Sequence, residues 1–557
     1  MPMLALLTML ALGLQQPSSP STAQTGSIRV VTRLNGTEAP LPDVEVNVFP
    51  QQGGRSSSIS RARTDAGGSA RFDNLPLGNY FVQAESAGYI GGDPIRPMPN
   101  PAGRAPAVGT VTLTNSDIRS IVLYFRRAGS ISGQARDSAR IPLANARVSL
   151  LALSYSYGRR TLLEASTTIT DADGRYSLKA LPDGTYYIRL QSAQSGFDVY
   201  YPSVLEADRA APVLIRDGEN IGNIEVAIPE VRTFKVSGTI VNSPGKVPAF
   251  TISPIGSMDV VGTNSPSLPN RIDNSTSRFE ISGVPAGAWN LFPVVPLKEG
   301  EGNVDAIQAI ARPNATGHAR IDVVDHNLDN VVIVVVSASL EMRVRLKGPA
   351  TDPMLDLRRV RVSLIPQDNI PRTLLGGEAL GQTADETGLL LFSYLPPGTY
   401  GIWAAATPPG WYVSDVLGGV RSILSEGRIT IGVEPVPPLE IDLRSDGGTI
   451  RGVLDGSAVT APGDKAEPVI ALVPQAQFQR ESLLLYKTTT LTGGPAEFTF
   501  RDIAPGNYKV IAWKHAPPGD PSKNPEFVAR YEGFGTSVSV KSGETSTVRV
   551  QLIPEGN

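Results

Sequence analysis

The sequence predicts an all-β protein made of five tandem Ig-like or prealbumin-like β-sandwich domains in an elongated rod. First, a chain of 557 residues is too long for one hydrophobic core, because single cores stop growing at roughly 250–300 residues. Second, one phrase recurs five times: an alternating strand, a Pro/Gly turn, and an aromatic residue that opens the next strand. Third, no stretch combines a helical period with caps, so we expect little helix.

The recurring phrase sets the length of the repeat. Its copies are RFDNLPLGNYFV (71–82), RYSLKALPDGTYYI (175–188), RFEISGVPAGAWNL (278–291), LLFSYLPPGTYGI (390–402) and EFTFRDIAPGNYKV (497–510). The corner aromatic residues, which lie 106, 103, 111 and 108 residues apart, are Tyr80, Tyr186, Trp289, Tyr400 and Tyr508. This spacing fits a small sandwich domain and is too long for a solenoid. We therefore expect repeats 1 to 5 at 24–126, 127–229, 230–337, 338–445 and 446–557.

Alternating strands surround each phrase. Opening strands read SISGQA (130–135), KVSGTI (235–240) and TIRGVL (449–454). Second strands read VEVNVF (44–49), ARVSLL (146–151) and RVRVSLI (359–365), and closing strands read NIEVAI (223–228), NVVIVVV (330–336), LEIDL (439–443) and STVRVQL (546–552). A period of two indicates strands with one buried face. The short connections at 126–129, 229–232 and 444–448 predict a semi-rigid rod.

The phrase also has a local physical interpretation. In the second copy, Asp171–Gly174 is a turn, and Pro182 and Gly184 reverse the chain before Tyr186. An aromatic residue at such a corner can bury its ring while its hydroxyl bonds to the backbone. Trp289 has no hydroxyl, which puts that bond in doubt in the third copy.

The pattern (T)D-x-x-G-x-[FY]-x-[FLI]…[LIV]-P-x-G-x-[YW] resembles the carboxypeptidase-regulatory-like domain, over about residues 26–554. The YYPS segment (200–203) and the stretch at 212–228 resemble tandem forms in exported proteins of soil bacteria. The resemblance implies a transthyretin-like or prealbumin-like sandwich, related to collagen-adhesin B-type repeats and to starch-binding domains. Such folds serve many roles, so the resemblance specifies the fold better than the function.

The N-terminus predicts export. An apolar run at 3–14 precedes a polar stretch, and Ser21 and Ala23 suit cleavage after Ala23. We therefore expect a signal peptide at 1–23 and an extracellular, periplasmic or cell-surface location; the alternative is an apolar N-terminal tail, since no Lys or Arg precedes the run. No stretch is long enough to span a bilayer, so we expect no membrane span after signal removal.

Composition and motifs argue against nucleic acid and catalysis. The 50 basic and 53 acidic residues form no basic stripe, so nucleic acid is not an expected partner. The chain has no cysteine, and its three histidines, His318, His326 and His515, belong to no zinc motif. We expect no enzyme, no metal site and no cofactor.

Three weaker site hypotheses compete with plain structural interpretations. His318 and His326 could hold a metal with Asp322 or Asp325, but solvated loop histidines are favoured. The D-x-D-G at Asp171–Gly174 could bind calcium, but a turn is favoured because further oxygen ligands are missing. Collagen-adhesin-type relatives can carry a Lys–Asn isopeptide bond, for which Lys235 is the candidate lysine, but a solvated strand lysine is favoured and no such bond is expected.

Aromatic residues give the strongest binding hypothesis. Strand alternation places Tyr400 inward and Trp403 outward, and likewise Tyr508 inward and Trp513 outward. A carbohydrate platform would use Trp403, Trp411, Tyr412 and Trp513, because a sugar ring stacks on a flat aromatic face. Packing under loops, or at the contact of repeats 4 and 5, is the favoured alternative. A weaker candidate of the same type is the set Tyr155, Tyr157, Tyr200 and Tyr201.

These observations predict a secreted or envelope-associated, non-catalytic structural and interaction protein that acts as a spacer or adhesive arm. The alternative is a carbohydrate-binding protein that uses the outward aromatics of repeats 4 and 5. The expected partner is a protein or polysaccharide of the cell envelope or its surroundings.

Overall fold

The computed structural model describes residues 24–51, 60–91, 106–192, 196–247, 249–256, 258–260, 268–296, 313–347, 355–367, 370, 380–455, 468–476, 479–491, 496–514, 516 and 519–553. The predicted signal peptide, residues 1–23, lies outside this part of the chain. The described residues form two compact units, the first ending at Arg126 and the second beginning at Arg127. The predicted all-β sandwich fold is confirmed, whereas the count of five separate domains and their boundaries stay a prediction.

Repeat 1 makes up the first unit and is a two-sheet sandwich. Its strands are β1 (Thr25–Leu34), β2 (Glu45–Pro50), β3 (Ser60–Arg63), β4 (Ser69–Pro76), β5 (Gly78–Glu85), β6 (Tyr89–Gly91), β7 (Ala107–Leu113) and β8 (Ile118–Arg127). One sheet has the order β4-β1-β8-β6 and the other β3-β2-β5-β7. Alternate residues of both sheets, such as Val30, Val46, Tyr80 and Phe125, fill the space between them, as expected for a sandwich core.

Repeat 2 opens the second unit and has the same plan. Its strands are β9 (Gly129–Arg136), β10 (Arg147–Ser156), β11 (Arg159–Ile169), β12 (Arg175–Leu181), β13 (Gly184–Gln191), β14 (Val199–Tyr200), β15 (Val213–Ile215) and β16 (Asn220–Ala227), with a 3-10 turn at Ala207–Arg209. The sheet β12-β9-β16 faces the sheet β14-β13-β10-β11. Strands β10 and β11 are long and form a hairpin.

Repeat 3 contributes a strand to its neighbour. Its strands are β17 (Thr233–Val241), β18 (Ala249–Pro254), β19 (Asp259–Val260), β20 (Asn270–Asp273), β21 (Arg278–Pro285), β22 (Gly287–Pro296), β23 (Pro313–Gly317), β24 (Ala319–Val323) and β25 (Leu328–Val336). The short strand β19 pairs in parallel with β11 of repeat 2. The remaining strands enclose an apolar core that contains Trp289, Phe279 and Ile333.

Repeat 4 is again a two-sheet sandwich. Its strands are β26 (Ala338–Leu346), β27 (Arg361–Pro366), β28 (Leu380–Thr383), β29 (Leu389–Leu395), β30 (Gly398–Ala406), β31 (Tyr412–Gly418), β32 (Arg421–Ser422), β33 (Arg428–Ile431) and β34 (Leu439–Arg444), with a 3-10 turn at Leu357–Arg359. The sheets have the orders β29-β26-β34-β31-β32 and β28-β27-β30-β33. Phe292 of repeat 3 joins its core.

Repeat 5 carries a helix on one face of its sheet. Its strands are β35 (Gly448–Asp455), β36 (Val469–Pro474), β37 (Lys487–Thr490), β38 (Glu497–Ile503), β39 (Gly506–Trp513), β40 (Thr536–Val540) and β41 (Thr545–Ile553). Helix α1 (Pro525–Tyr531) lies between 3-10 turns at Pro521–Lys523 and Glu532–Phe534, and another such turn spans Leu483–Leu485. Asn524 caps α1, because its side chain accepts a hydrogen bond from the Phe527 N–H.

Within the second unit, repeats that are not neighbours in the chain contact each other. Repeat 2 contacts repeats 4 and 5: Arg159 donates a hydrogen bond to the carbonyl of Pro366, and Asn524 donates one to the carbonyl of Gly158. The short connections restrain neighbouring repeats, but they do not keep the long β10–β11 hairpin from reaching repeats farther along the chain. The four repeats of this unit therefore do not touch only their sequence neighbours.

Candidate functional site

The corner of each repeat closes with the same hydrogen bond. The hydroxyls of Tyr80, Tyr186, Tyr400 and Tyr508 each donate to the carbonyl four residues earlier, at distances of 2.5, 2.9, 2.6 and 2.9 Å. Trp289 makes the equivalent bond with its indole N–H, which donates to the Pro285 carbonyl at 3.0 Å. The doubt about the third copy is therefore resolved by a different donor at the same position. These polar groups are bonded within the corner.

A β-bulge precedes every corner and was not foreseen. Each pairing of an opening strand with the strand before the corner has a register shift. The residue with positive φ at this point is, in chain order, Asn74, Ala180, Gly283, Tyr394 and Asp502. A bulge with a left-handed residue increases the local twist and turns the strand toward the corner. Because only one of the five residues is glycine, composition gave no signal.

The calcium interpretation of the Asp171 turn is not supported by its geometry. One carboxylate oxygen of Asp171 accepts hydrogen bonds from the N–H groups of Asp173 and Arg175. Asp65 and Asp385 accept the same pair of backbone bonds in repeats 1 and 4. Within the part of the chain that the structure describes, no cluster of three or more acidic or histidine side chains could hold a metal. The side chain of this aspartate shapes the turn.

The histidines and Lys235 occupy ordinary structural positions. His318 lies between β23 and β24, stacks on Phe292 with ring centroids 4.9 Å apart and pairs with the Asn290 side chain at 2.9 Å, so it is a partly buried histidine rather than a solvated one. His326 is exposed and contacts the carboxylate of Asp325. His515 lies outside the described residues. Lys235 forms an ion pair with Glu280 at 3.2 Å.

The four residues of the predicted aromatic platform do not share one exposed face. Trp411 and Tyr412 are 4% and 6% exposed, and Trp513 is 2% exposed. The side chain of Trp513 points away from the sandwich interior, as expected, but Phe527 and Tyr531 of helix α1 cover it. Trp403 is partly buried: its ring forms a T-shaped pair with that of Tyr157, with centroids 5.1 Å apart, and the ammonium of Lys523 lies 4.9 Å from its centroid. Trp513 and the loop aromatics Trp411 and Tyr412 are therefore not exposed as a carbohydrate platform would require.

The second aromatic set is divided in the same way. Tyr155 packs on Phe527 of repeat 5, and Tyr201 lies at the edge of the repeat 2 core. Tyr200 is buried beside Asp198, and burial raises the pKa of both groups. The fully buried Arg189 lies between Glu164 and Asp198, with N–O distances of 3.0 and 3.7 Å. This ionic cluster supports the sheet, since a buried charge needs partners.

A cavity of about 310 Å³ between repeats 4 and 5 is the best candidate for a binding site. Two of the predicted residues, Trp403 and Tyr412, line it together with Lys487, Asp502 and Tyr508. Burial lowers the pKa of Lys487, whose ammonium donates to the Arg501 carbonyl at 2.8 Å. Aromatic walls with an ammonium and a carboxylate suit a small polar ligand that has an apolar face. Sequence reasoning missed Lys487 and Asp502, since nothing in the sequence places their strands beside Trp403.

Asp446, in the connection between repeats 4 and 5, bonds to residues of both repeats, including Tyr412 of the cavity lining. Asp446 accepts hydrogen bonds from Arg444, from Ser542 and, at 3.1 Å, from the hydroxyl of Tyr412. These bonds, that of Arg444 first, hold the pKa of Asp446 well below its usual range. Burial, and then the neighbouring Asp446, raise the pKa of Tyr412 to about 12. Repeats 4 and 5 are therefore joined by an ionic network as well as by the chain.

Family comparison agrees with the resemblance in the second repeat. Residues 130–216 match the carboxypeptidase regulatory-like domain. The match covers the corner of Tyr186 and the Asp171 turn, which carry the pattern. The likeness to this family is shown for residues 130–216, and the same corner bond recurs in the other repeats. No curated protein matches this chain.

Three solved structures to which this chain is similar are bacterial proteins. The TIE protein of Bacillus anthracis is 10% identical over 96% of this chain and 76% of its own, with a TM-score of 0.15. The major pilin subunit of Bacillus cereus is 11% identical over 76% of this chain and 100% of its own, with a TM-score of 0.15. A putative carbohydrate-binding protein of Pseudomonas aeruginosa is 14% identical over 18% of this chain and 89% of its own, with a TM-score of 0.13. At such TM-scores these likenesses carry no argument about function.

Helices contribute little to the described structure. In that part of the chain, none is long and apolar enough to cross a membrane.

Proposed function

We propose that this chain is a non-catalytic structural and interaction protein, exported to the cell envelope or its surroundings, which acts as a spacer or adhesive arm. The proposal rests on one observation: the polar side chains that recur in the repeats bond to other groups of the same chain. Corner hydroxyls, turn carboxylates and the Asp446 network all bond to other parts of the same chain. Side chains committed in this way stabilise a fold, whereas a catalytic group must be aimed at a substrate.

Export and adhesion can be tested together. The full chain is expressed in a bacterial host, located by fractionation, and its mature N-terminus is sequenced. The purified protein is then mixed with envelope fragments and with envelope polysaccharides, while peptide and glycan hydrolysis are assayed in parallel. We expect cleavage after Ala23, cosedimentation with envelope material and no turnover. An uncut protein retained in the cytoplasm, or turnover that a point mutation abolishes, would overturn the proposal.

A carbohydrate-binding role is the second candidate, and the cavity between repeats 4 and 5 favours it. The ring of Trp403 could stack on the C–H face of one sugar unit, while Lys487 and Asp502 bind its hydroxyl groups. Titration calorimetry with monosaccharides and disaccharides tests this role. Binding should fall at least tenfold in Trp403→Ala and persist in Tyr394→Ala, which removes an exposed aromatic ring from the same repeat. Equal binding by both variants would exclude the cavity as the site.

A further inference from the structure

The tip of the β10–β11 hairpin is a tight turn that reaches beyond its own sandwich. Tyr157 and Gly158 both have positive φ, 51° and 80°, which is the geometry of a type I′ turn. We call residues 155–159 the hairpin tip. Its contacts lie in repeats 4 and 5, which follow it in the chain by more than two hundred residues.

The hairpin tip is bound to repeat 5 through its backbone and through the ring of Tyr155, which is 7% exposed and belongs to an apolar cluster with residues of repeat 5. Tyr155 forms a parallel bridge with Gly519, and the N–H of Asp520 donates to the Tyr155 carbonyl at 3.0 Å. The side chain of Asn524 donates to the Gly158 carbonyl at 2.7 Å. The Tyr155 ring also packs on Phe527 with centroids 5.6 Å apart.

The other side of the hairpin tip meets repeat 4. Arg159 donates to the Pro366 carbonyl at 2.8 Å. The Tyr157 ring forms a T-shaped pair with the ring of Trp403, and the ammonium of Lys523 in repeat 5 lies over the same indole. The hairpin tip therefore occupies a notch that both later repeats form.

Two glycines make this close approach possible. A Cβ atom added at Gly519 would lie 1.8 Å from the Tyr155 carbonyl oxygen, and one added at Gly158 would lie 2.4 Å from the Lys523 carbonyl oxygen. Backbone atoms cannot give way by such amounts without moving the repeats apart. An added methyl group at either position should therefore separate the surfaces.

The contact joins repeat 2 directly to repeat 5, while the chain also connects these two repeats through repeats 3 and 4. When the two ends of the second unit are pulled, tension passes from repeat 2 to repeat 5 directly through the hairpin tip. Repeats 3 and 4 carry little of that tension while the contact holds. We infer that the hairpin tip is a latch that opens under tension, before any sandwich unfolds, and so lengthens the arm reversibly.

The latch should be weaker than the sandwiches that it joins. Among the described residues, hydrogen bonds of Tyr155, Gly158 and Arg159 and the packing of the Tyr155 and Tyr157 rings hold it, whereas a sandwich has paired strands along its whole length, ten residue pairs between β10 and β11 alone. After opening, the chain still tethers the two surfaces, which keeps their effective concentration high. The latch should therefore close again when the tension is released.

Optical tweezers on the full chain, held by handles at its ends, test the inference directly. Unfolding one sandwich of about 100 residues releases roughly 340 Å of extended chain. The latch should open first, at lower force, in a reversible step well short of that length. The measurement uses purified protein, so its failure would leave the proposed role in the envelope standing, and failure of that role would not affect the latch.

The variants Gly158→Ala and Gly519→Ala should abolish the first step and leave the later unfolding steps unchanged. Asn524→Asp should weaken the step, because the carboxylate still caps α1 but cannot donate to the Gly158 carbonyl. Gly419→Ala is the matched control: Gly419 also has positive φ, 65°, yet a Cβ atom there meets nothing within 4 Å. It should retain the step.

Acrylamide quenching of tryptophan fluorescence confirms that the variants open the latch without force. Trp289, Trp411 and Trp513 are at most 6% exposed, so added quenching reports mainly on Trp403. We expect at least a twofold rise in the accessible fraction in Gly158→Ala and Gly519→Ala but not in Gly419→Ala. Increased quenching with an unchanged force-extension curve, a persistent short step in these variants, or a wild-type chain whose first event is a full sandwich unfolding would overturn the inference.

Discussion

At the scale of single residues, the corner requires a ring with a donor at its far edge rather than one residue type. Four corners use a tyrosine hydroxyl and the third uses an indole N–H, and all five reach the carbonyl four residues back. Burying such a ring places its polar atom in an apolar setting, where an unpaired donor is costly. The bond satisfies that donor and fixes the turn.

Tyr400→Phe should therefore lower the local stability of repeat 4 by about 1 kcal/mol, the usual net contribution of one hydrogen bond. The ring is fully buried and stays in place, so the change removes the hydroxyl and its bond to the Pro396 carbonyl. Native-state hydrogen exchange of repeat 4 measures the effect. Tyr394→Phe is the control, since Tyr394 is 45% exposed; equal losses in both variants would contradict the assignment.

The Asp446 network should make the junction of repeats 4 and 5 sensitive to acid. The pKa of Asp446 is lowered in the folded chain, first by Arg444 and then by Ser542. Its stabilising contribution is therefore present above the ordinary carboxylate pKa of about 4 and is lost as pH falls through the lowered value. Protection of the amides at residues 444–448 from hydrogen exchange, relative to their intrinsic rates, should fall below roughly pH 4 in the wild type. Asp446→Asn should remove most of this dependence.

At the scale of elements, strand identity was predictable and the distortions were not. Period-two alternation indicated the strands and the face of Trp513 because side chains alternate along any strand. The bulge before each corner escaped prediction, since residues as different as Asn74, Ala180 and Tyr394 adopt the left-handed conformation there. Helix α1 was also missed. With seven residues it is too short for a helical period, and it decides whether Trp513 meets solvent.

Ala180→Gly should stabilise repeat 2 by about 1 kcal/mol, because a left-handed conformation costs an alanine roughly 1–2 kcal/mol that glycine avoids. The φ of Ala180 is 55°. Ala152→Gly in β10 is the matched variant and should destabilise by about 0.5–1 kcal/mol, as glycine does in a strand interior. Hydrogen exchange of repeat 2 measures both, and effects of the same sign would contradict the interpretation.

The aspartate turns should not respond to calcium. Backbone N–H groups already occupy the inner carboxylate oxygen of Asp171, and Asp173 pairs with Arg175 at 2.8 Å. Melting curves in excess calcium and in EDTA should therefore coincide within about 1 °C, whereas a site occupied at a hundred times its Kd would add roughly 2.7 kcal/mol. A larger shift, removed by Asp171→Asn, would restore the metal interpretation.

At the scale of the whole molecule, the sequence predicted the repeats but not the contacts among them. Repeat length follows from local phrases, whereas the notch that receives the hairpin tip combines residues as distant as Pro366 and Asn524. No local pattern encodes such a meeting. The same holds for the cavity: Trp403 and Tyr412 were singled out for outward rings, and the structure shows that they instead line a space between repeats.

Repeats 2 and 5 should lose stability together. Trp513→Ala removes a buried ring that supports helix α1, at a cost of about 3–5 kcal/mol. Because α1 and the turn before it hold the hairpin tip, exchange at the amides of residues 155–159 should quicken by at least tenfold, although they belong to another repeat. Unchanged exchange there would show that the two repeats are energetically independent.

The first and last strands of every repeat lie side by side and run in parallel, as β1 with β8 and β35 with β41. The chain therefore enters each sandwich at one end of this pair and leaves at the other. A pull along the chain loads the hydrogen bonds of the pair in shear, all at once, instead of unzipping them one after another. Each sandwich is thus built to resist stretching between the two points at which the chain enters and leaves it.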